Sequence, residues 1–227
     1  EPGGDSTAVL EGIRRGGNLR TALNTLHNLA LVKDAIGDVA EAERYWRIFL
    51  ALGESLANPM KRAQATHNLG SLLRDTGRLD EALALLNAAL SEFERLGSGR
   101  WRSMALNAIG EVYAGFGRYE AARAHFEQAL QAAGDNPRRR VKALYSLGRG
   151  YLALDQPRSA EKRLRKALEL HRRLDLPIAA AMAQNVFGES LARQGRIETA
   201  LGLKLSAVEA LRAAGAVMQL GRALAST

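Results

Sequence analysis

Apolar positions between residues 63 and 90 fall at helical spacing twice over. Ala63, Leu69, Leu72 and Leu73 mark one amphipathic stretch, and Ala82, Leu83, Leu85, Leu86, Ala89 and Leu90 mark a second. The polar break between them, Asp75-Thr76-Gly77, ends in a residue that takes the left-handed conformation helix ends commonly need. Asp80 and Glu81 then suit the positive end of a new helix dipole. The pattern predicts two antiparallel helices joined by a tight turn.

The same pattern recurs. A small residue is followed twelve positions later by alanine in Ala30/Ala42, Gly70/Ala82, Gly110/Ala122, Gly148/Ala160 and Gly188/Ala200, with successive pairs 40, 40, 38 and 40 residues apart. A fixed period of this size marks a solenoid, whose units bury their apolar faces on their neighbours. Small residues at two positions twelve apart predict a close crossing of the two helices, where a larger side chain would overpack. Gly37, Gly77, Gly117 and Gly195 hold the turn within each hairpin, and Asp155 replaces Gly in the fourth. There Pro157 is expected at the start of the second helix, where its missing N–H costs nothing. The two-residue deletion is expected around the linker Gly134-Asp135-Asn136-Pro137.

These residues resemble the tetratricopeptide repeat family. The third unit carries the pattern as Ile109, Gly110, Tyr113, Gly117, Ala122, Phe126 and Ala129; the second carries it as Leu69, Gly70, Leu73, Gly77, Ala82, Leu86 and Ala89. The fifth departs with Lys204 at the bulky position, which suggests looser packing or a side chain escaping to solvent. The first has Ala30, Lys33, Trp46 and Phe49 at the matching places. The resemblance implies an all-α, right-handed superhelical solenoid of antiparallel helix hairpins. Five hairpins are expected at about 20–58, 60–97, 100–134, 137–175 and 177–215. Residues 1–19 read as a flexible lead with a short helix near 7–15, and 216–227 as the start of a truncated sixth repeat, so that the chain reads as a fragment of something longer. The family unit is about 34 residues. Here the additional residues are expected between hairpins, as in Leu96-Gly97-Ser98-Gly99 and Leu174-Asp175-Leu176-Pro177, with each helix extended by about a turn. Units of this length resemble those of peptide-binding scaffolds and of the sensor domains of large bacterial transcription regulators of the LuxR and maltose-regulator types.

Composition narrows the class further. Hydrophobic residues make up 47% of the 227 and aromatics only 5%, so the core must rest on Leu and Ala. Cysteine is absent, which leaves no disulfide and no thiolate metal site. No apolar run approaches 18 residues and no signal segment opens the chain, so a soluble, cytoplasmic protein without a membrane partner is expected. Net charge is +8. The densest basic stretches are Arg138-Arg139-Arg140-Lys142, Lys162-Arg163-Arg165-Lys166 and Arg172-Arg173; Glu161 and Glu169 among them read as an ordinary salted surface. Almost no aromatics interleave with the charge, so stacking on bases is not expected.

In this family the first helices of the hairpins line the concave groove. The candidate ligand-binding residues are therefore Asn24, His27, Asn28, Gln64, His67, Asn68, Arg74, Asn107, Lys142, Tyr145, Arg149, Asn185 and Arg193. The resemblance assigns Asn28 and Asn68 to a ligand's backbone, which an amide can meet by donating and accepting at once. The pattern fails at Ala108, Ser146 and Val186. The same Asn and His residues could instead bond adjacent hairpins. His27 and His67 stand singly on their helices, and no cofactor or metal is expected. No catalytic motif is present, and no enzymatic activity is expected. The expected function is a scaffold holding an extended peptide, a partner helix or a small effector. The alternative is a sensor or oligomerisation domain of a larger transcription regulator, with homodimerisation open. Direct nucleic-acid binding ranks last.

Overall fold

The computed structural model describes residues 15–16, 19–55 and 57–225; the lead helix expected near 7–15 lies outside the described residues except for its last position. Eleven helices follow in order among the described residues: α1 (Leu19–Ala35), α2 (Val39–Ser55), α3 (Pro59–Asp75), α4 (Leu79–Arg95), α5 (Gly99–Gly115), α6 (Tyr119–Ala132), α7 (Pro137–Ala153), α8 (Pro157–Arg173), α9 (Pro177–Ala192), α10 (Ile197–Ala213) and α11 (Val217–Ala225). The fold is all-α, with successive helices packed as hairpins. It divides into two compact units, residues 1–115 and 116–227.

In the first unit α1 packs on α2 and α3 on α4, with α2 on α3 and α4 on α5 joining them in series. In the second, α6 meets α7, α7 pairs with α8, α9 with α10, and α11 packs against α10 and α9. First helices also touch one another, α3 with α5 and α7 with α9.

All ten members of the small/Ala pairs are buried. The reason for the spacing is visible at three crossings. A Cβ built on Gly70 would lie 2.9 Å from Leu86 Cγ, on Gly148 2.5 Å from Leu164 Cγ, and on Gly188 2.8 Å from Lys204 Cγ. The bulky residue sixteen positions after the glycine thus lies directly on it. Lys204 overturns one expectation: its stem covers Gly188 and the residue is only 9% exposed, so it packs as its aliphatic counterparts do.

The repeat length comes from the expected extension of the helices and not from additional residues between hairpins. Most helices are 17 residues long, and the turns, within and between hairpins alike, have three residues except 133–136 and 193–196, which have four. The length beyond a 34-residue unit therefore lies in the helices. The 38-residue spacing arises because α6 has only 14 residues while the turn after it, 133–136, has four. At the heart of every turn sits a residue with positive φ: Gly37, Ala57, Gly77, Gly97, Gly117, Gly134, Asp155, Asp175, Gly195 and Gly215. They recur every twenty residues except around Gly134. Most turns tie off their helix in the same manner; after α3, Gly77 N–H donates to Arg74 O at 3.0 Å and Arg78 N–H to Leu73 O at 2.9 Å. Asn58 and Asn136 cap α3 and α7 by accepting from Lys61 N–H and Arg139 N–H, each ahead of a proline in the first turn.

Candidate recognition face on the first helices

In the first unit the polar residues of α1, α3 and α5 stand in register one repeat apart. Asn24 corresponds to Gln64, Asn28 to Asn68, and His27 to His67 and Asn107. Asn24 and Asn28 are exposed and Gln64 is half-buried, and none of the three has a polar side-chain partner among the described residues. Asn68 is half-buried, its Oδ1 3.2 Å from His67 Nδ1.

The histidines belong to the packing. His27 meets Trp46 edge-on, with ring centroids 5.3 Å apart, and lies 6.0 Å from Phe49. Burial, and then the nearby Lys61 charge, hold its imidazole below the usual range. His67 is 5% exposed and sits between Phe93 at 6.2 Å and Trp101 at 5.6 Å. The two histidines share a register position but not their neighbours: His27 packs on two rings of α2, His67 on one ring each of α4 and α5.

Arg74 is the centre of an ionic network. Its guanidinium donates to both carboxylate oxygens of Asp75, at 2.8 and 3.0 Å, and reaches Glu111 Oε2 on α5 at 2.5 Å. Asn107, 2% exposed, donates from Nδ2 to Glu111 Oε1 at 3.0 Å. Across from this network, Asp34 at the end of α1 has its carboxyl raised by desolvation and then by repulsion from Asp75. Sequence reasoning missed Glu111, Asp75 and Asp34; the available signal was their placement just after the small residue of each first helix.

The second unit carries the remaining candidates. Lys142 is exposed, and Arg149 lies over the Tyr145 ring at 6.0 Å. Asn185 is half-buried on α9. Arg193 bridges back to the preceding hairpin by donating to Leu152 O at 2.9 Å, and on its own side donates to Glu189 of α9 at 2.7 Å. It joins Gln156, Arg158, Ser159, Gln194 and Arg196 around an open cleft of about 600 Å³. The candidates thus divide between the two units. Among the described residues no group of three or more His, Asp or Glu could hold a metal ion, and no helix is long and apolar enough to cross a membrane.

The family profile described as tetratricopeptide repeat matches residues 61–135 and 117–173. The chain is a tetratricopeptide-repeat protein. Solved structures share its fold at low identity. BtubC (BKLC) from P. vanneervenii is 19% identical, with a TM-score of 0.75 over 92% of this chain and 89% of that one. A Rap protein complexed with Competence and Sporulation Factor is 13% identical, with a TM-score of 0.81 over 96% of this chain and 61% of the Rap chain. The Rap conjugation gene regulator of plasmid pLS20, solved in complex with the Phr* peptide, is 16% identical, with a TM-score of 0.75 over 86% and 55% of the two chains. Among curated proteins none matches the sequence.

Proposed function

We propose that this tetratricopeptide-repeat protein is an interaction scaffold that takes an extended peptide along the first helices of its first unit. One observation carries the reading: Asn24, Asn28 and Gln64 stand in register on α1 and α3 with no polar partner of their own among the described residues. Side-chain amides can both donate to and accept from a peptide backbone, and a preformed row of them avoids much of the ordering cost of binding. The Rap structures bound to Competence and Sporulation Factor and to the Phr* peptide support peptide recognition on this fold. Arg74 acts behind the row. With Asp75 and Glu111 already on its guanidinium, it fixes α3 against α5.

Selection from a phage-displayed random peptide library tests the reading. Peptides that bind the chain should bind the Asn28→Ala/Gln64→Ala double variant about tenfold to a hundredfold more weakly, at an unchanged Tm, since a lost hydrogen bond is worth about 1 kcal/mol. Equal affinity for the double variant would remove the amide row from the function.

A further inference from the structure

The hairpin of α7 and α8 holds the protein's whole excess of positive charge. Residues 137–173 contain twelve Lys and Arg against three Asp and Glu, a net of +9 where the full chain carries +8. On α8 the buried face is Ala160, Leu164, Ala167, Leu168 and His171. Arg158, Lys162, Arg165, Lys166, Arg172 and Arg173 are all exposed, and their spacing of three, four and seven puts them on the opposite face, a line of about 22 Å. The antiparallel pairing sets Arg138, which opens α7, at the same end as Arg172 and Arg173.

The interspersed acids suggest an ordinary salted surface, and the structure bears this out at Glu161 but not along the rest of the face. Glu161 is taken up by Arg165 at 2.7 Å, Arg196 at 3.3 Å and Gln194 at 3.1 Å. Arg158, Lys162, Lys166, Arg172 and Arg173 have no carboxylate partner among the described residues, and Glu169 is the lone acid on their face. Elsewhere several surface arginines are paired, Arg78 with Glu43 and Glu81, Arg95 with Glu92, and Arg123 with Glu127. Those without a carboxylate partner among the described residues, such as Arg20, Arg118 and Arg212, stand apart from one another on different helices and turns.

We infer that the outer face of α8 binds the phosphate backbone of nucleic acid, without reading sequence. The partner follows from what accompanies the charge. Contacts with folded proteins centre on apolar and aromatic anchors, and peripheral lipid binding adds inserted apolar side chains. Neither is present here: the exposed large apolar residues of the second unit are Tyr119, Ile178, Ile197, Leu201, Leu205 and Leu224, none of them on α7 or α8. A row of unpaired cations with nothing apolar beside it suits a polyanion held by counterion release. The row has no aromatic residue for stacking on bases, and its exposed side chains offer charge rather than a set of side-chain amides for base edges. Contact is therefore to phosphates, with arginine well suited to grip them in pairs of hydrogen bonds.

The test is fluorescence anisotropy of the 227-residue chain with a labelled random-sequence duplex of about 20 base pairs, titrated from about 50 to 300 mM salt. Neutralising about five phosphates should give a slope of log K against log salt near −4 to −5. Lys162→Ala/Lys166→Ala/Arg172→Ala/Arg173→Ala keeps helix-favouring residues on an exposed face, so its circular dichroism should be unchanged. Its affinity should fall at least about a hundredfold at low salt, and its slope should drop to about −1. No binding at low salt, a slope flatter than about −2, or undiminished binding by the folded variant would overturn the inference. So would capture by polyglutamate or by vesicles rich in phosphatidylserine in place of the duplex, which would assign the face to an acidic peptide or to a lipid surface.

Discussion

The hairpins α3–α4 and α7–α8 are built on the same frame and present opposite surfaces. Gly70 lies under Leu86 in one and Gly148 under Leu164 in the other. On α4 the charges are mostly satisfied: Glu81 pairs with Arg78, Glu92 with Arg95 and Arg62, and Glu94 with Arg102. On α8 a row of cations stands unpaired. The frame depends on a few small and bulky positions, and the exposed positions between them are free to differ from one repeat to the next.

The frame itself can be broken unequally in the two hairpins. A Cβ on Gly148 would lie 2.5 and 2.6 Å from two Leu164 carbons, against 2.9 and 3.2 Å for Gly70 and Leu86. Overpacking of this kind costs about 1–3 kcal/mol, and alanine returns about 1 kcal/mol of helix propensity. Gly148→Ala should therefore lose about 1–2 kcal/mol in urea unfolding, while Gly70→Ala stays near balance. Equal effects would mean that the small residue is not held by the close approach.

A third version of the crossing sharpens the point, because α10 sets a lysine on Gly188. If the methylene stem carries the contact, Lys204→Met should stay within about 1 kcal/mol of the parent while Lys204→Ala loses about 2 kcal/mol. Similar losses in both would assign the contribution to the ammonium group.

The turns differ more gently. Ala57 and Asp155 hold the left-handed conformation without being glycine, at φ of 48° and 53°. Such a backbone costs a side-chain-bearing residue about 1–2 kcal/mol, less for aspartate, and glycine's own entropy returns part of it. Ala57→Gly should gain up to about 1 kcal/mol and Asp155→Gly less, read as Tm. The smallest effect concerns pH. His171 on α8 is buried, and desolvation holds its imidazole below 6.5. A His with a lowered folded pKa stabilises the neutral protein, and that contribution is lost as pH falls through 6.5 toward the folded value. Melting between pH 7 and pH 5 should therefore decline less steeply in His171→Leu.

The hairpins were legible because their signals are local: a small residue, an alanine twelve later and a glycine between. The turns between hairpins were harder to read, since Ala57 and Asp175 adopt a glycine-like backbone without being glycine. Lys204 was misplaced because its charge was weighed and its stem was not. The polar face was legible as a set of residues and not as an arrangement. Which residue Arg74 holds depends on Glu111, on another helix 37 positions along the chain. Likewise, Trp101 reaches His67 from α5. The unpaired state of α8 was invisible for the same reason, since Glu161 is drawn off by Gln194 and Arg196 from the following hairpin.

The turns keep a beat of twenty residues, whereas the packing positions keep one of forty. A segment of twenty could be removed with every remaining turn intact, yet a second helix would then face a second helix, leucine against leucine with no glycine to receive it. Removing forty restores both beats. Duplication or loss of whole hairpins is thus the change in length this chain tolerates best, and each new copy arrives with its packing settled and its surface open to be rewritten.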